Sequence, residues 1–394
     1  MNRKNFFAIG LLTIAALSVS APVKAEMSEQ ELRLRALEEK LETKSKGLEW
    51  IDRFTFKNDL RLRHESNYND KNASGAAVQD QHRERFRLRL GGEYNFDKSL
   101  KVGIRLASGS EDPISTNQTL TNSFGKKAFN IDSAFANYLY SLGELKTSWT
   151  GGKFDTPFFK TMPLVWDSDL TMEGLAESFT LPVGSSTTLF AVFGQMAIAE
   201  SSSVRHDPYL AGYQGGVEQK MGSLGKLKVG VAYFDYISVK GKTIANNPSA
   251  GNTLSGTSLV TDYDILNVNG KWTFDGFGIP VEVMGEYANN TADNVPTNED
   301  EAYAFGVGVG KKIKEFGDWY ASYQYRVLEK DGALDVFTDS DFHGGGANSK
   351  GSVLGLKFGL RKGVELNATY FITEANAGAE VSRDRLQLDA IFHF

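Results

Sequence analysis

The chain has 394 residues, no cysteine, and 43 basic against 49 acidic side chains, which gives a net charge of −6. The lack of cysteine excludes a disulfide scaffold and a cysteine-ligated metal site, and the acidic balance argues against nucleic-acid binding. The five histidines have no metal-ligand spacing. We therefore expect neither a metal site nor a catalytic residue.

The N-terminus has the pattern of an export signal. Arg3 and Lys4 precede the apolar run "FFAIGLLTIAALSVSA", and the small-residue sequence "VKA" ends at Ala25. This pattern predicts a secretory signal peptide over residues 1–25. No second apolar run is long enough for a spanning helix, so any membrane residence must use strands.

One helix is predicted, within residues 26–50. The segment "SEQELRLRALEEKLETKSK" lacks Gly and Pro and is rich in Glu, Lys, Arg and Leu. Apolar residues fall seven apart, with one more between them, as in a short coiled coil. These positions are Met27, Leu34, Leu41 and Leu48, with Leu37 as the additional one.

From Phe54 to the C-terminus the pattern changes to segments of period two, which is typical of strands with two different faces. We predict sixteen strands, at residues 54–65, 83–96, 99–107, 130–141, 146–154, 173–180, 186–195, 212–221, 226–236, 263–275, 278–288, 301–311, 317–328, 350–361, 363–373 and 383–394.

Long and short connections alternate between these strands, so all long loops would lie at one end. The fold class predicted for residues 51–394 is therefore all-β: a closed antiparallel transmembrane β-barrel of about 16 strands, preceded by a short α-helical coiled-coil segment. A set of soluble β-sandwich or propeller domains is the alternative, because sandwich strands also alternate. In the barrel interpretation, the helix lies in the periplasm, on the side of the short turns.

The last strand, "RDRLQLDAIFHF", ends on an aromatic residue. It has apolar residues on one parity, including Leu388, Phe392 and Phe394. This pattern resembles the C-terminal assembly signal of bacterial outer-membrane proteins, and the resemblance implies recognition by the outer-membrane barrel assembly machinery.

A second resemblance involves residues 151–179, "GGKFDTPFFKTMPLVWDSDLTMEGLAESF". The Gly-Lys-aromatic strand end, the Pro-aromatic pair and the Trp-Asp-Ser-Asp…Glu-Gly run resemble the putative porin family of Gram-negative bacteria. The resemblance implies a sixteen-stranded diffusion porin in outer-membrane lipid, commonly a homotrimer and not an enzyme. Small hydrophilic solutes and ions would pass through its water-filled pore.

In sixteen-stranded porins the third long loop folds into the barrel and narrows it. The third long loop of this chain is residues 155–172, so the resemblance implies that these residues form a constriction. Proline and large apolar residues in the loop favour packing against other groups over an ordinary solvated loop. The constriction acids would be Asp155, Asp167, Asp169 and Glu173.

Basic residues share the inward parity of neighbouring strands and would form one wall of the pore. Facing an acidic loop, this wall would set up a transverse field that orients solutes and sets ion preference. Alternatively, the cations pair with carboxylates such as Asp59, Glu65, Glu84 or Glu93 and stiffen the wall. The wall comprises Arg61, Arg63, Arg83, Arg85, Arg87, Arg89, Lys101, Arg105, Arg383 and Arg385.

Three other functions remain open from sequence alone: a substrate-specific, anion-preferring channel, an outer-membrane enzyme, and an adhesin. We expect no cofactor, although the acid-rich loop "TNEDEA" at 297–302 could bind Ca²⁺.

Overall fold

The computed structural model describes residues 29–69, 76–121, 123–200, 206–244, 250–296 and 298–394. The predicted signal peptide, residues 1–25, lies outside the described residues, as does Met27 of the coiled-coil pattern. So do the side chains of residues 41–49 in the helix.

The described part of the N-terminal unit is one helix, α1, over Glu29–Asp52. Its first turn carries Glu29, whose carboxylate pairs with Arg33 at 3.0 Å, and acidic side chains suit the positive end of the helix dipole. Leu34 and Leu37 are more than half exposed. The described residues therefore leave most of each side chain uncovered, and the coiled coil stays a prediction. No described helix is long and apolar enough to cross a membrane.

The second unit begins at Arg53 and contains sixteen long strands. They are β1 (Phe54–Phe56 and Asp59–Asn69), β2 (Gln81–Asn95), β3 (Leu100–Ser108), β4 (Phe129–Leu142), β5 (Leu145–Asp155), β6 (Thr171–Val183), β7 (Thr187–Ala197), β8 (Tyr209–Lys220), β9 (Lys226–Ile237), β10 (Tyr263–Gly276), β11 (Ile279–Asn290), β12 (Glu301–Gly310), β13 (Trp319–Leu328), β14 (Ser349–Arg361), β15 (Val364–Ala375) and β16 (Arg383–His393).

The connections also contain short elements. These are the strands Gln118–Thr119, Leu254–Ser255 and Ser258–Leu259, and the 3₁₀ turns Gly222–Leu224 and Asp335–Phe337.

Each long strand pairs antiparallel with its neighbours in the sequence, and β16 pairs with both β15 and β1. The sheet is thus a closed sixteen-stranded antiparallel barrel, as predicted, and not a set of sandwiches or propellers. Closure leaves no free edge among the long strands, which a barrel surrounded by lipid requires.

The period-two pattern separates the two faces of the barrel wall. Leu62 and Leu388 are 49% and 46% exposed on the outside. Arg63 and Gln387 point inward and are only 5% and 2% exposed. An apolar outer face with a polar interior is the arrangement of a transmembrane barrel.

Two irregularities bear on the interior. The first predicted strand is interrupted at Lys57 and Asn58, where the Asn58 side chain accepts a hydrogen bond from the Gly91 amide at 3.0 Å. Between β3 and β4 the register shifts, and Asp132 is the extra residue. Such a bulge redirects a side chain, and Asp132 thereby pairs with the inward-facing Arg105.

Long and short connections alternate around the barrel, but their lengths overlap. The shortest of the seven turns have two residues, whereas the turn at 311–318 has eight. The last long connection, 376–382, has only seven residues. Length alone therefore does not identify the end that carries the long loops. That end is identified by the order of the connections, since every second connection around the barrel lies there.

Candidate functional site

The connection between β5 and β6, residues 156–170, is buried inside the barrel. We call it the crossing loop. Its apolar side chains are almost completely enclosed: Met162, Leu164 and Trp166 are each 2% exposed, and Val165 is 1% exposed. The side chains of an ordinary surface loop would be exposed to solvent. The low exposure of these side chains therefore shows that the crossing loop packs against the barrel interior.

Phe158 attaches the crossing loop to β7, β8 and β9. Its ring lies 5.0 Å from that of Phe234 on β9, edge to face. It also fills the space over Gly194 and Gly212, and a Cβ at Gly212 would lie 2.3 Å from the ring. Glycine at 212 is therefore required for the loop to approach the wall closely.

Polar contacts continue along the same side of the barrel. The Gln214 amide on β8 bonds to both the N–H and the C=O of Phe159, at 2.7 and 2.8 Å. Thr161 donates its N–H to Asn269 on β10 at 2.9 Å. Met162 donates its N–H to Glu286 on β11 at 3.2 Å. The backbone groups of this irregular segment are thus satisfied by inward-facing side chains.

The other end of the crossing loop contacts the arginines of β2. Asp169 accepts a hydrogen bond from Arg89 at 2.7 Å and lies 3.6 Å from Arg87. Thr116 from the connection 109–128 donates to the same carboxylate at 3.2 Å. Because β2 and β10 are eight strands apart in a ring of sixteen, the loop spans the barrel from one side to the other.

The connection between β13 and β14, residues 329–348, is a second inner loop, which was not predicted from the sequence. Its Phe337 packs on Trp166 with ring centres 6.0 Å apart, and its Ser340 N–H donates to Asp167 at 2.8 Å. Asp341 pairs with Arg63 at 3.2 Å and with Arg385 at 2.8 Å. The inner loops therefore brace each other and the basic wall.

The two acids near the end of the crossing loop differ in charge. Burial, together with the neighbouring Asp339, raises the pKa of Asp167 to about 8. Burial also opposes the charge on Asp169, but Arg89, Arg87 and Arg61 outweigh it and lower its pKa to about 2. At neutral pH Asp169 is thus the charged acid of this pair, and it contacts the arginines directly. Asp169 and these arginines form direct ion pairs with no open gap between them, and the transverse field stays a prediction.

The predicted basic residues fall into three groups, with Arg383 apart from them. Arg61, Arg63, Arg87 and Arg89 lie beneath the inner loops, and Arg61 and Arg63 are buried. Arg83, Arg85 and Arg385 line a cavity of 1020 Å³ at the end that carries the long loops. Lys101 and Arg105 line a cavity of 360 Å³ nearer the turns, while Arg383 lies beside Gly344 and donates to the His343 carbonyl at 3.1 Å.

Carboxylates on the wall pair with many of these cations, as the alternative explanation expected. Glu65 is completely buried and contacts Arg83 and Arg85. Asp59 pairs with Arg87, and Glu93 with Lys101. Glu84 differs: it contacts His64 on the outer face. Three of the four carboxylates suggested from sequence thus lie in the interior.

Arg105 lies where the two cavities approach each other. It donates to Asp155, which lines the smaller cavity, at 2.7 and 3.3 Å. Its Nε donates to Asp132, which lines the larger cavity. A mobile solute passing between the cavities would therefore meet a cation held between two carboxylates.

The remaining predicted residues lie in strands, except the C-terminal Phe394, which follows β16. Glu173 is in β6 and pairs with Lys153 at 2.7 Å, beside the larger cavity. Leu388 and the C-terminal Phe394 are exposed, and Phe392 is half-buried. No group of three or more potential ligands among the described residues could hold a metal ion, and Ca²⁺ binding by residues 297–302 stays a prediction.

A family model described as a putative porin matches residues 72–255 and 242–394. No curated protein sequence matches the chain. The barrel fold is shared with many solved structures, among them the following two. OprB of Pseudomonas putida, determined at high pH, is 11% identical over 88% of this chain and 96% of that chain, with a TM-score of 0.58. A loop L8 deletion mutant of OmpT, an outer membrane protein of Vibrio cholerae, is 15% identical over 87% of this chain and 100% of that chain, with a TM-score of 0.50.

Proposed function

This chain belongs to the putative porin family and is an outer-membrane porin, and we propose that it lets small hydrophilic solutes and ions diffuse passively across the membrane. Family membership also favours a channel over an enzyme. The crossing loop would be the constriction, since it spans a closed barrel and leaves beside it two cavities with charged residues in their walls. What supports this most is the position of Arg105 between the two cavities.

The passage would run between the first part of the crossing loop and strands β3 to β6. Asp155, the last residue of β5, directly precedes this loop, and its side chain is 71% exposed although it pairs with Arg105. Exposed charged groups in a confined space act on passing ions through the local field. Arg105, Asp132 and Asp155 would therefore set the ion preference and limit the solute size.

An anion-preferring channel is the second candidate. It is favoured by Arg83, Arg85 and Arg385, which all line the larger cavity. These cations also pair with Glu65 or Asp341, so the larger cavity is not simply basic. We place this candidate second for that reason.

The assembly of the protein is also a proposal. The family resemblance supports a homotrimer in outer-membrane lipid, with α1 in the periplasm after removal of residues 1–25. The exposed Leu34 and Leu37 would then form a coiled-coil seam between protomers. Leu388, Phe392 and Phe394 would be recognised by the barrel assembly machinery.

We expect the purified protein to insert into planar lipid bilayers and to produce discrete, stepwise increases in conductance. The cavities beside Arg105 predict small steps, because the crossing loop fills much of the lumen. The same recording in a salt gradient gives the reversal potential and hence the ion preference. A folded, inserted barrel that produces no steps would contradict a diffusion pore and favour the adhesin or enzyme.

A further inference from the structure

We propose that the basic wall contains a binding site for one small monovalent anion, a halide or a carboxylate group, at Arg61. The site would form part of the inner face of β1 and β2, under the connection 109–128. Its effect on ion permeation rests on the proposed pore, whereas binding itself does not.

Arg61 is a buried cation without a carboxylate partner. Arg61 is only 9% exposed, yet no described carboxylate lies within 4.0 Å of its guanidinium group. One guanidinium nitrogen donates to the neutral amide oxygen of Asn117 at 2.7 Å. Its Nε is buried and has no hydrogen-bond partner in the protein. A guanidinium cannot escape this cost by losing its proton, because its intrinsic pKa is too high.

The residues around Arg61 increase this imbalance. Arg87 is its direct partner across the β1–β2 ladder, and Arg63 directly opposes Arg85 in the same ladder. Like charges in facing positions destabilise a sheet. Arg85 and Arg89 each have a buried Nε without a partner as well.

Arg61 and the two ion-pair networks beside it together carry an excess of two positive charges. Seven arginines in this cluster are balanced by only five carboxylates. The arginines are Arg61, Arg63, Arg83, Arg85, Arg87, Arg89 and Arg385, and the carboxylates are Asp59, Glu65, Asp169, Asp341 and Asp389.

The carboxylates near Arg61 already bond to other arginines, and Asp169, whose charge Arg61 helps to stabilise, accepts its hydrogen bond from Arg89. Asp59 accepts two hydrogen bonds from Arg87, at 3.0 and 2.8 Å. Asp389 accepts two from Arg63, at 2.7 and 2.9 Å. Buried charges in proteins are paired or neutralised by a bound ion. A small anion at Arg61 would satisfy the free N–H donors and reduce the repulsion from Arg87 and Arg63.

Two kinds of anion have this chemistry, and a competition experiment separates them. Samples of the native protein are heated to different temperatures, and thermal unfolding is followed by the shift in electrophoretic mobility between the folded and the unfolded protein. The reference buffer contains the sodium salt of a bulky sulfonate, and increasing amounts of this salt are replaced by sodium chloride or by sodium formate at constant ionic strength. We expect a saturable rise of several degrees in the unfolding midpoint. A rise with chloride alone identifies a halide site, and a rise with formate as well identifies a site for carboxylate groups.

Arg61→Gln should abolish this dependence on the anion. Arg326→Gln is the matched control: Arg326 is a buried arginine on β13, but it pairs with Asp339 at 2.6 Å. The control should be less stable and yet keep the anion-dependent shift. An equal midpoint in all three salts, or an unchanged shift in Arg61→Gln, would overturn the site.

Crystals of the native protein soaked in bromide provide a measurement that needs no variant. We expect an anomalous peak in contact with the Arg61 guanidinium, and its absence would overturn the site even if Arg61→Gln fails to fold. Stepwise conductance without a bromide peak would leave the pore standing and remove the site. Bromide binding without conductance would do the reverse.

Discussion

Replacing Glu65 with Gln should lower the free energy of unfolding by about 3–5 kcal/mol, the range found when one member of a buried ion pair is removed. Glu65 is completely buried, and it contacts Arg83 and Arg85. It also lies 3.9 Å from Arg63. Gln keeps the size of the side chain but removes the negative charge, which leaves these arginines without their shared counterion. Urea titration of the barrel in lipid vesicles measures the change.

Glu84→Gln is the control for this substitution. Glu84 lies on the neighbouring strand of the same hairpin, but its side chain is 60% exposed on the outer face and bonds only to His64. Removal of an exposed pair should change the unfolding free energy by less than about 1 kcal/mol. Equal effects of the two substitutions would show that the buried cluster around Glu65 does not stabilise the barrel.

Replacing the crossing loop with a short Gly/Ser turn should raise the single-channel conductance several-fold and admit larger solutes. The design is possible because Asp155 and Thr171, at the two ends of the loop, face each other in the β5–β6 ladder. A tight hairpin turn can therefore join the strands without changing their pairing. The physical reason for the larger conductance is the removal of the buried aromatic and aliphatic side chains that now fill the lumen.

Deletion of residues 123–126 is the control for this variant. Ser123, Phe124 and Lys126 are exposed, so this part of the connection 109–128 contributes little to the filled interior. The deletion should leave the conductance step unchanged. If the variant without the crossing loop still forms a barrel but keeps the native step, then the crossing loop is not the constriction.

The barrel could be predicted from sequence because its information is local and periodic. In β2, the arginines from Arg83 to Arg89 alternate with Phe86, Leu88 and Leu90, and this pattern alone assigns the two faces. Closure followed from the number of strands and the alternation of their connections. The predicted strand ends differ from those observed by a few residues, because hydrogen bonding between strands determines where each strand ends.

The partners of the basic wall could not be predicted in full, because they depend on contacts between distant segments. Asp341 reaches Arg63 and Arg385 from a connection that has no period and no regular spacing. A signal existed nevertheless: Leu334, Val336 and Phe342 are apolar residues in an acidic loop, and all three are buried. Apolar side chains within a long polar connection could therefore have indicated a second inner loop.

The position of Asp132 illustrates the same limit on a smaller scale. Strict alternation through β4 gives no reason to place it beside Arg105. One extra residue in the strand changes the parity, and bulges have no reliable sequence signal in this segment. The predicted wall therefore included Arg105, whereas the carboxylate that holds it on the larger-cavity side was missed.

Passage of solutes beside Arg105 and Asp155 is tested most directly by chemical modification of a cysteine introduced at position 155. The native chain has no cysteine, so Asp155→Cys introduces a single reactive thiol. We expect a bulky methanethiosulfonate reagent to reduce most of the current through this variant. The same reagent should leave the current of Ser123→Cys, in an exposed part of the connection 109–128, unchanged. Complete modification of the thiol introduced by Asp155→Cys, verified by mass spectrometry, with no loss of current would contradict the proposed passage.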